Sequence, residues 1–283
     1  MKGFWKNVGP QRWTLLGAAL FLLAQVLVLT DWLLVKGAFP LLSLWFFGSA
    51  LLVLSVLIYR KLIINYQESK TLTNNGFAQV ESLLYLHSRL KLRRALPRMR
   101  SFAISPDFAN VLADYVLAEK PKVIVECGAG ISTLVNGYLL EQLGAGHVYA
   151  LEHEGDFSRQ TTAEIGKHGL AAQASVIHAP LETFRLKDRE WKWYASRGWN
   201  ALPGIDLLIV DGPPAFVQQH ARYPALPLLL DRLNPGAALL VDDCVREDDR
   251  QTVERWVREY PGWDLEWIRT EKRAALLRRR QEA

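Results

Sequence analysis

Residues 123–134, Val-Ile-Val-Glu-Cys-Gly-Ala-Gly-Ile-Ser-Thr-Leu, constrain this chain more than any other stretch. Val123, Ile124 and Val125 form a β-branched apolar run of the kind that fills a fully covered parallel strand. Gly128 and Gly130 follow at once, and glycine admits tight or positive-φ backbone where a ligand must come close. Ser132 or Thr133 can then cap a helix whose first N–H groups point back at the turn. Strand, Gly-x-Gly turn and helix N-terminus together make a nucleotide cradle, and such a cradle belongs to an alternating α/β sheet.

The chain beyond it alternates accordingly. Further strands are predicted at 147–152, 174–179, 206–211 and 237–242, with helices near 134–143, 157–167 and 248–260. Ser105 as N-cap and Pro106 at the first helical position open an earlier helix that reaches about Lys120. Residues 216–233 read as a helix made irregular by Pro224 and Pro227. Residues 263–269 and 273–277 read as a closing hairpin. Between them, 185–204 reads as a long connection without a clear period, carrying Trp191, Trp193, Tyr194 and Trp199. Loops of this length are often lids, so Trp193 and Tyr194 are candidate substrate contacts; the alternative is a flap packed on the sheet or on a membrane.

Two apolar runs precede all this. Residues 14–35 and 40–59 are each close to the roughly 20 residues that cross a bilayer. Trp13 and Trp32 bracket the first run as interfacial aromatics, and a five-residue link, 36–40, joins the two. The first run is too long for a signal peptide and no small-residue cleavage site follows it. A transmembrane helical hairpin is therefore expected over 1–61. Lys2, Lys6 and Arg12 precede it and Arg60 and Lys61 follow it, which places both termini and any catalytic domain in the cytoplasm of a cell bounded by, for example, a bacterial inner membrane. Residues 62–104 are expected to be a polar linker, 67–75, and a helix over 77–96 that ends in Lys91, Arg93, Arg94, Arg98 and Arg100. That basic cluster suits either an anionic lipid surface or a solvated face on a helix packed against the domain. The domain itself is expected over 105–283.

The net charge of +5 sits largely beside the apolar runs and at the C-terminus, which suits a membrane surface and argues against a nucleic-acid partner. Two cysteines, Cys127 and Cys244, make neither a disulfide framework nor a zinc pattern.

The glycine turn narrows the ligand. A dinucleotide site wants a third glycine where Thr133 stands. Glu152, at the end of the second strand, is placed for ribose hydroxyls. Glu126, before the first glycine, would repel a pyrophosphate but suits a cofactor with a positive centre and an amino-acid tail, such as S-adenosylmethionine. Glu126, Gly128, Gly130, Ser132, Glu152 and His153 are the candidate cofactor contacts.

Residues 123–134, Tyr149-Ala150-Leu151-Glu152-His153 and Leu207-Leu208-Ile209-Val210-Asp211-Gly212-Pro213-Pro214 together resemble class I S-adenosylmethionine-dependent methyltransferases. Arg222-Tyr223-Pro224-Ala225-Leu226-Pro227-Leu228-Leu229 and Leu240-Val241-Asp242-Asp243 narrow the resemblance to the catechol O-methyltransferase-like branch, over about 105–278. The resemblance implies a Rossmann-like, mostly parallel sheet with a closing antiparallel hairpin. It implies that Glu126, Gly128 and Gly130 line the methionine moiety, that Glu152 holds the ribose, and that Pro180 and Leu181 flank the adenine. Asp211, Asp242 and Asp243 stand at strand ends, where three oxygen donors could hold Mg²⁺ and lower the pKa of an acceptor hydroxyl. Catechol-type enzymes carry Asp, Asp and Asn at these positions and a lysine base just after the first; here Gly212-Pro213-Pro214 follows. Asp211 is the candidate catalytic residue, and the alternative is that Asp211 caps a turn while Asp242 and Asp243 cap a helix or touch the cofactor.

The expected protein is a membrane-anchored methyltransferase acting on oxygen of a small or lipid-like acceptor, with a divalent metal as candidate helper. The alternatives are a binding protein that keeps the fold without the chemistry and a nicotinamide-dependent oxidoreductase.

Overall fold

The computed structural model describes residues 22–27, 29–30, 40–99, 101–187 and 189–280. The chain divides into two compact units, residues 1–73 and 74–283. One helix, α1 (Pro40–Arg89), runs through the boundary. The expected run at 14–35 is described only at 22–27 and 29–30, which are helical, and the rest of it lies outside the described residues together with the link at 36–39. In place of the expected transmembrane pair, the described residues contain one helix long and apolar enough to cross a membrane, Phe47–Arg89, whose most apolar window has a mean hydropathy of 1.9 and no buried share.

The polar stretch 67–75 is a correction to the sequence reading. It does not interrupt the helix, because Thr71 and Thr73 donate their hydroxyls to the carbonyls of Gln67 and Ser69, four residues back, and so satisfy themselves without leaving helical backbone. The separate helix expected over 77–96 is thus the end of α1, which stops at Arg89. Leu86 and Leu90 are buried among α2 (Pro106–Glu119) and the sheet. Arg93 is tied down: its guanidinium donates to Glu141 Oε2 at 2.8 Å and to the carbonyl of His168 at 2.9 Å. Of the two readings of the basic cluster, Arg93 follows the one in which the segment packs on the domain.

Beyond α2 the chain builds one seven-stranded sheet. In order come β1 (Val123–Cys127), α3 (Ile131–Leu143), β2 (His147–Glu152), α4 (Gly155–Lys167), β3 (Ala174–His178), β4 (Leu181–Leu186), β5 (Arg189–Tyr194), β6 (Ile205–Val210), α5 (Ala225–Leu229), β7 (Leu233–Val241), α6 (Glu247–Glu259), β8 (Trp263–Ile268) and β9 (Ala274–Arg279). The order across the sheet is β3-β2-β1-β6-β7-β9-β8, with the first five strands parallel and β9 antiparallel to both β7 and β8. This is the Rossmann-like sheet with its closing hairpin. Period-2 alternation feeds two cores: Val125, Leu208 and Val210 face one side, and Ile124, Leu207 and Ile209 the other.

Two connections differ from expectation. Residues 185–186 and 189–194 belong to a β-hairpin of β4 and β5, because Glu190-Trp191-Lys192-Trp193 alternates and seats both tryptophans in the core, and a 3₁₀ turn follows at Ser196–Gly198. Residues 216–233 hold only the short helix α5 and a 3₁₀ turn at Leu230–Arg232. The sheet's geometry fixes where a ligand goes. From β1 the chain crosses to β2 and β3 on one side, and β6 and β7 lie on the other, so the crevice opens at the carboxyl ends of β1 and β6.

Candidate functional site

A cavity of about 820 Å³ opens at that crevice, within the size range of small-molecule sites. Gly128, Gly130 and Ser132 line it from the turn between β1 and α3, and Glu152 and His153 line it from the end of β2. Gly128 has φ +103°, a conformation that a residue with a Cβ rarely adopts, and its N–H donates to the carbonyl of Leu151 at 2.9 Å. The turn is thereby tied to β2.

Glu126 does not line the cavity. Its carboxylate is buried under α3, where it accepts from Thr133 Oγ1 and Asn136 Nδ2, both at 2.6 Å. Thr133 Oγ1 in turn accepts the N–H of Gly130 at 3.1 Å. This explains the threonine where a dinucleotide site has glycine: the side chain bridges the turn to the strand acid. Burial raises the Glu126 pKa from 4.5 to about 7, against the pull of the Thr133, Asn136 and Ser132 donors.

Glu152 stands differently. Oε1 accepts the N–H of Glu154 at 2.9 Å and lies 3.0 Å from His153 Nδ1, while Oε2 accepts only the N–H of Ala129, at 3.2 Å. Burial favours the neutral form, but these donors outweigh it and hold the carboxyl below its ordinary pKa. An ionised carboxylate with lone pairs left over faces the cavity. Pro180 and Leu181, expected beside the adenine, are outside the cavity lining; the Pro180 carbonyl accepts the Ala195 N–H, and Leu181 begins β4.

The other wall comes from β5, β6, β7 and the segment before α2. Tyr194 lines the cavity with a buried hydroxyl that has no partner among the described residues, whereas Trp193 lies in the core beneath. A Cβ at Gly212 would collide with the Tyr194 hydroxyl, so this position needs glycine for space. Phe102 and Phe216 also line the cavity although 77% and 78% exposed, which makes them an apolar rim.

Asp211 and Asp243 line the cavity; Asp242 is fully buried behind them. Arg222, only 2% exposed, joins all three. Its Nη2 donates to Asp211 Oδ1 at 3.0 Å, to the Asp211 carbonyl at 2.6 Å and to Asp243 Oδ2 at 2.8 Å, and its Nη1 donates to the Asp242 carbonyl at 2.7 Å. Arg246 Nη2 lies 2.7 Å from Asp243 Oδ2 and Lys272 Nζ 3.5 Å from Asp243 Oδ1. Burial raises the Asp211 pKa well above the carboxylate range despite Arg222, and raises Asp242 to about 6. Burial also acts on Asp243, but Arg222, Lys272 and Arg246 overcome it and hold that carboxyl low. Asp243 takes φ +59°, an uncommon backbone state for a non-glycine residue.

The described residues do not show the expected Mg²⁺ site. A hard cation needs carboxylate oxygens at about 2.0–2.1 Å in open octahedral geometry. Asp211 Oδ1 and Asp243 Oδ2 already face Arg222, the two Asp242 carboxylate oxygens are buried without a hydrogen-bond partner and do not reach the cavity, and among the described residues no group of three or more His, Cys, Asp or Glu is arranged to hold a metal. Arg222, Arg246, Lys272, Phe102 and Phe216 were not singled out from the sequence for the site. Nothing local marks Arg222, whose partners lie 11 to 21 residues away.

Residues 125–244 match a family model described as a methyltransferase domain. A search of curated proteins gave no match. Among solved structures, the chain is similar to an SAH-bound methyltransferase from Podospora anserina, at 16% identity and a TM-score of 0.50 over 73% of this chain and 88% of that one. It is similar to a cofactor-bound protein from MTB, at 18% identity and 0.50 over 74% and 91%. It is also similar to an O-methyltransferase from Bacillus cereus in complex with SAH, at 14% identity and 0.50 over 71% and 90%. The likeness is one of fold.

Proposed function

We propose that the chain is an S-adenosylmethionine-dependent methyltransferase that acts on oxygen of a small or lipid-like acceptor and is held at a membrane by its apolar helix. The observation that carries this reading is the pairing of the Gly128–Gly130 turn with an ionised Glu152 whose Oε2 has one protein partner and faces the cavity. A carboxylate so placed accepts two ribose hydroxyls, and the match of residues 125–244 to a methyltransferase domain supports the choice of cofactor.

The cofactor, when bound, supplies a methyl group on a cationic sulfonium. This chain's residues would do the rest. Gly128, Gly130 and Ser132 form the floor for the amino-acid tail, and Glu152, steadied by His153 and the Ala129 N–H, fixes the ribose. Phe102 and Phe216 would take the apolar body of the acceptor, with the Tyr194 hydroxyl free to donate to it. Asp211 stands at the cavity wall with its Oδ1 held by Arg222, and the acceptor's proton would leave to solvent water as its oxygen bonds to the methyl carbon. The membrane placement rests on the unburied apolar window of α1 and on the basic residues flanking the apolar runs, which favour a cytoplasmic catalytic unit.

Calorimetry on the 283-residue chain tests the cofactor. Heat with S-adenosylmethionine and none with NAD⁺ is the expected result. An unchanged S-adenosylmethionine affinity in Glu152→Ala would overturn the site.

A further inference from the structure

We propose that Arg222 takes the place of a divalent cation in the acceptor site, so that the chain carries its positive charge on a fixed guanidinium and works without a metal. The proposal rests on the methyltransferase reading only for the name of the reaction; the arrangement stands on its own.

Four donations from one side chain reach all three aspartates: two carboxylates and two carbonyls, from residues 211, 242 and 243, at 2.6 to 3.0 Å. These are oxygen donors from the strand ends where a cation would have to sit. The fork of Arg222 sits past the carboxyl ends of β6 and β7, and its Nε lies 3.5 Å from Asp249 Oδ1 on α6, so the carboxylates of Asp211, Asp243 and Asp249 and the Asp242 carbonyl surround one buried cation. Arginine keeps its proton throughout the accessible pH range, so the charge cannot be titrated away to admit a metal. Lys272 and Arg246 occupy the remaining approaches to Asp243. A dication entering here would have to displace the guanidinium into a buried space or sit against it.

The exchange of metal for guanidinium has a chemical consequence. A bound metal offers exchangeable positions that two adjacent acceptor hydroxyls can chelate. A guanidinium offers only N–H donors, and those of Arg222 are directed at protein oxygens. Arg222 is therefore a positioning residue. It fixes the Asp211 carboxylate at the cavity wall and keeps the cluster from repelling an acceptor oxygen that becomes anionic. Selection of the acceptor then falls to Tyr194 and the phenylalanine rim, and a single hydroxyl suffices.

The probe is Mn²⁺, read by the paramagnetic resonance of the free ion. The wild-type chain should leave that signal undiminished at millimolar Mn²⁺, and its melting temperature should not respond. Its S-adenosylmethionine binding heat should be the same with EDTA as with Mg²⁺. One-to-one uptake of Mn²⁺ by the wild-type chain, lost in Asp211→Asn, would overturn the proposal even if Arg222→Met failed to fold. Where Arg222→Met folds, it should take up Mn²⁺ and melt higher in its presence, while Arg222→Lys should remain silent like the wild type. A folded Arg222→Met that ignores Mn²⁺ would likewise overturn it. Absence of heat with S-adenosylmethionine under every condition would remove the cofactor reading and leave the Mn²⁺ result to be judged separately.

Discussion

Two acidic clusters sit at the carboxyl ends of neighbouring parallel strands, and they are neutralised in opposite ways. On the β1–β2 side, Glu126 and Glu152 are held mainly by neutral donors: hydroxyl, carboxamide and backbone N–H groups. On the β6–β7 side, Asp211, Asp242 and Asp243 are held by Arg222, Lys272 and Arg246. A carboxylate met by a few neutral donors keeps lone pairs for a ligand, whereas one met by a buried guanidinium is already part of a closed ion network. Glu152 therefore faces the cavity with lone pairs to spare, Glu126 ties the glycine turn to α3 from beneath, and the aspartates of the other side are locked into internal architecture.

The sharpest way to break that comparison is to remove the cation. Arg222→Ala leaves acidic groups buried without their partner, and breaking a buried pair in this way costs about 3–5 kcal/mol. Urea denaturation of the 283-residue chain checks this, and a loss below about 1 kcal/mol, the ceiling for exposed pairs, would mean that the network is no tighter than a surface one.

Next in size is the opposite cluster. Glu152→Ala removes an ionised acceptor of two ribose hydroxyls, and hydrogen bonds to charged groups contribute about 1.5–3 kcal/mol each, so S-adenosylmethionine affinity should fall by about two to four orders of magnitude. Because the Glu152 pKa is lowered in the fold, its stabilising contribution is present above the ordinary carboxylate pKa and disappears as pH falls through the lowered one. Wild-type affinity should accordingly be flat through the neutral range. Calorimetry at several pH values reads both effects, and an affinity that titrates near neutrality would assign the ribose to another group.

Gly128→Ala sharpens the comparison at the backbone. A Cβ there has room, with its nearest neighbour, Gly212 N, at 3.7 Å, so the cost comes from φ +103° alone. Strained backbone of this kind costs about 1–3 kcal/mol. The melting temperature should fall and cofactor affinity should fall with it, since the turn carries the Ala129 N–H that steadies Glu152.

The sequence made both sets of acids legible and left the cation among the aspartates dark, for a physical reason. Val123 to Val125 must be apolar because β1 is covered on both faces, and Gly128 must be glycine because its φ is positive. Such constraints act within a few residues and show in any single chain. Arg222 lies between Gln219 and Pro224 in a stretch without period, and its role appears only when β6 and β7 bring Asp211, Asp242 and Asp243 to it. The tryptophan segment is a different kind of miss. The alternation of Glu190, Trp191, Lys192 and Trp193 is a strand signal, but the segment as a whole lacks a clear period; of its two candidate substrate contacts, Trp193 lies in the core and Tyr194 lines the cavity. The reading of 67–75 as a linker failed because polar residues do not end a helix unless some backbone group gains a better partner elsewhere, and Thr71 and Thr73 find theirs within the helix.

The smallest expected effect is a slope, and it separates the two acids of the β1–β2 side from each other. The Glu126 pKa rises from 4.5 to about 7 on folding, so the folded chain binds that proton more tightly than the unfolded one. Its contribution to stability is complete below pH 4.5 and is lost as pH rises through about 7, with a slope of at most about 1.4 kcal/mol per pH unit. Asp242, at about 6, titrates in the same window, and the Glu152 and Asp243 shifts act below it. The quantity to measure is therefore the difference between wild type and Glu126→Gln, in which the Asp242 contribution cancels. Wild type should lose stability relative to the variant between about pH 5 and pH 8. A flat difference curve would mean that Glu126 is ionised in the fold at neutral pH, as Glu152 is, and that the Thr133 and Asn136 donors outweigh its burial.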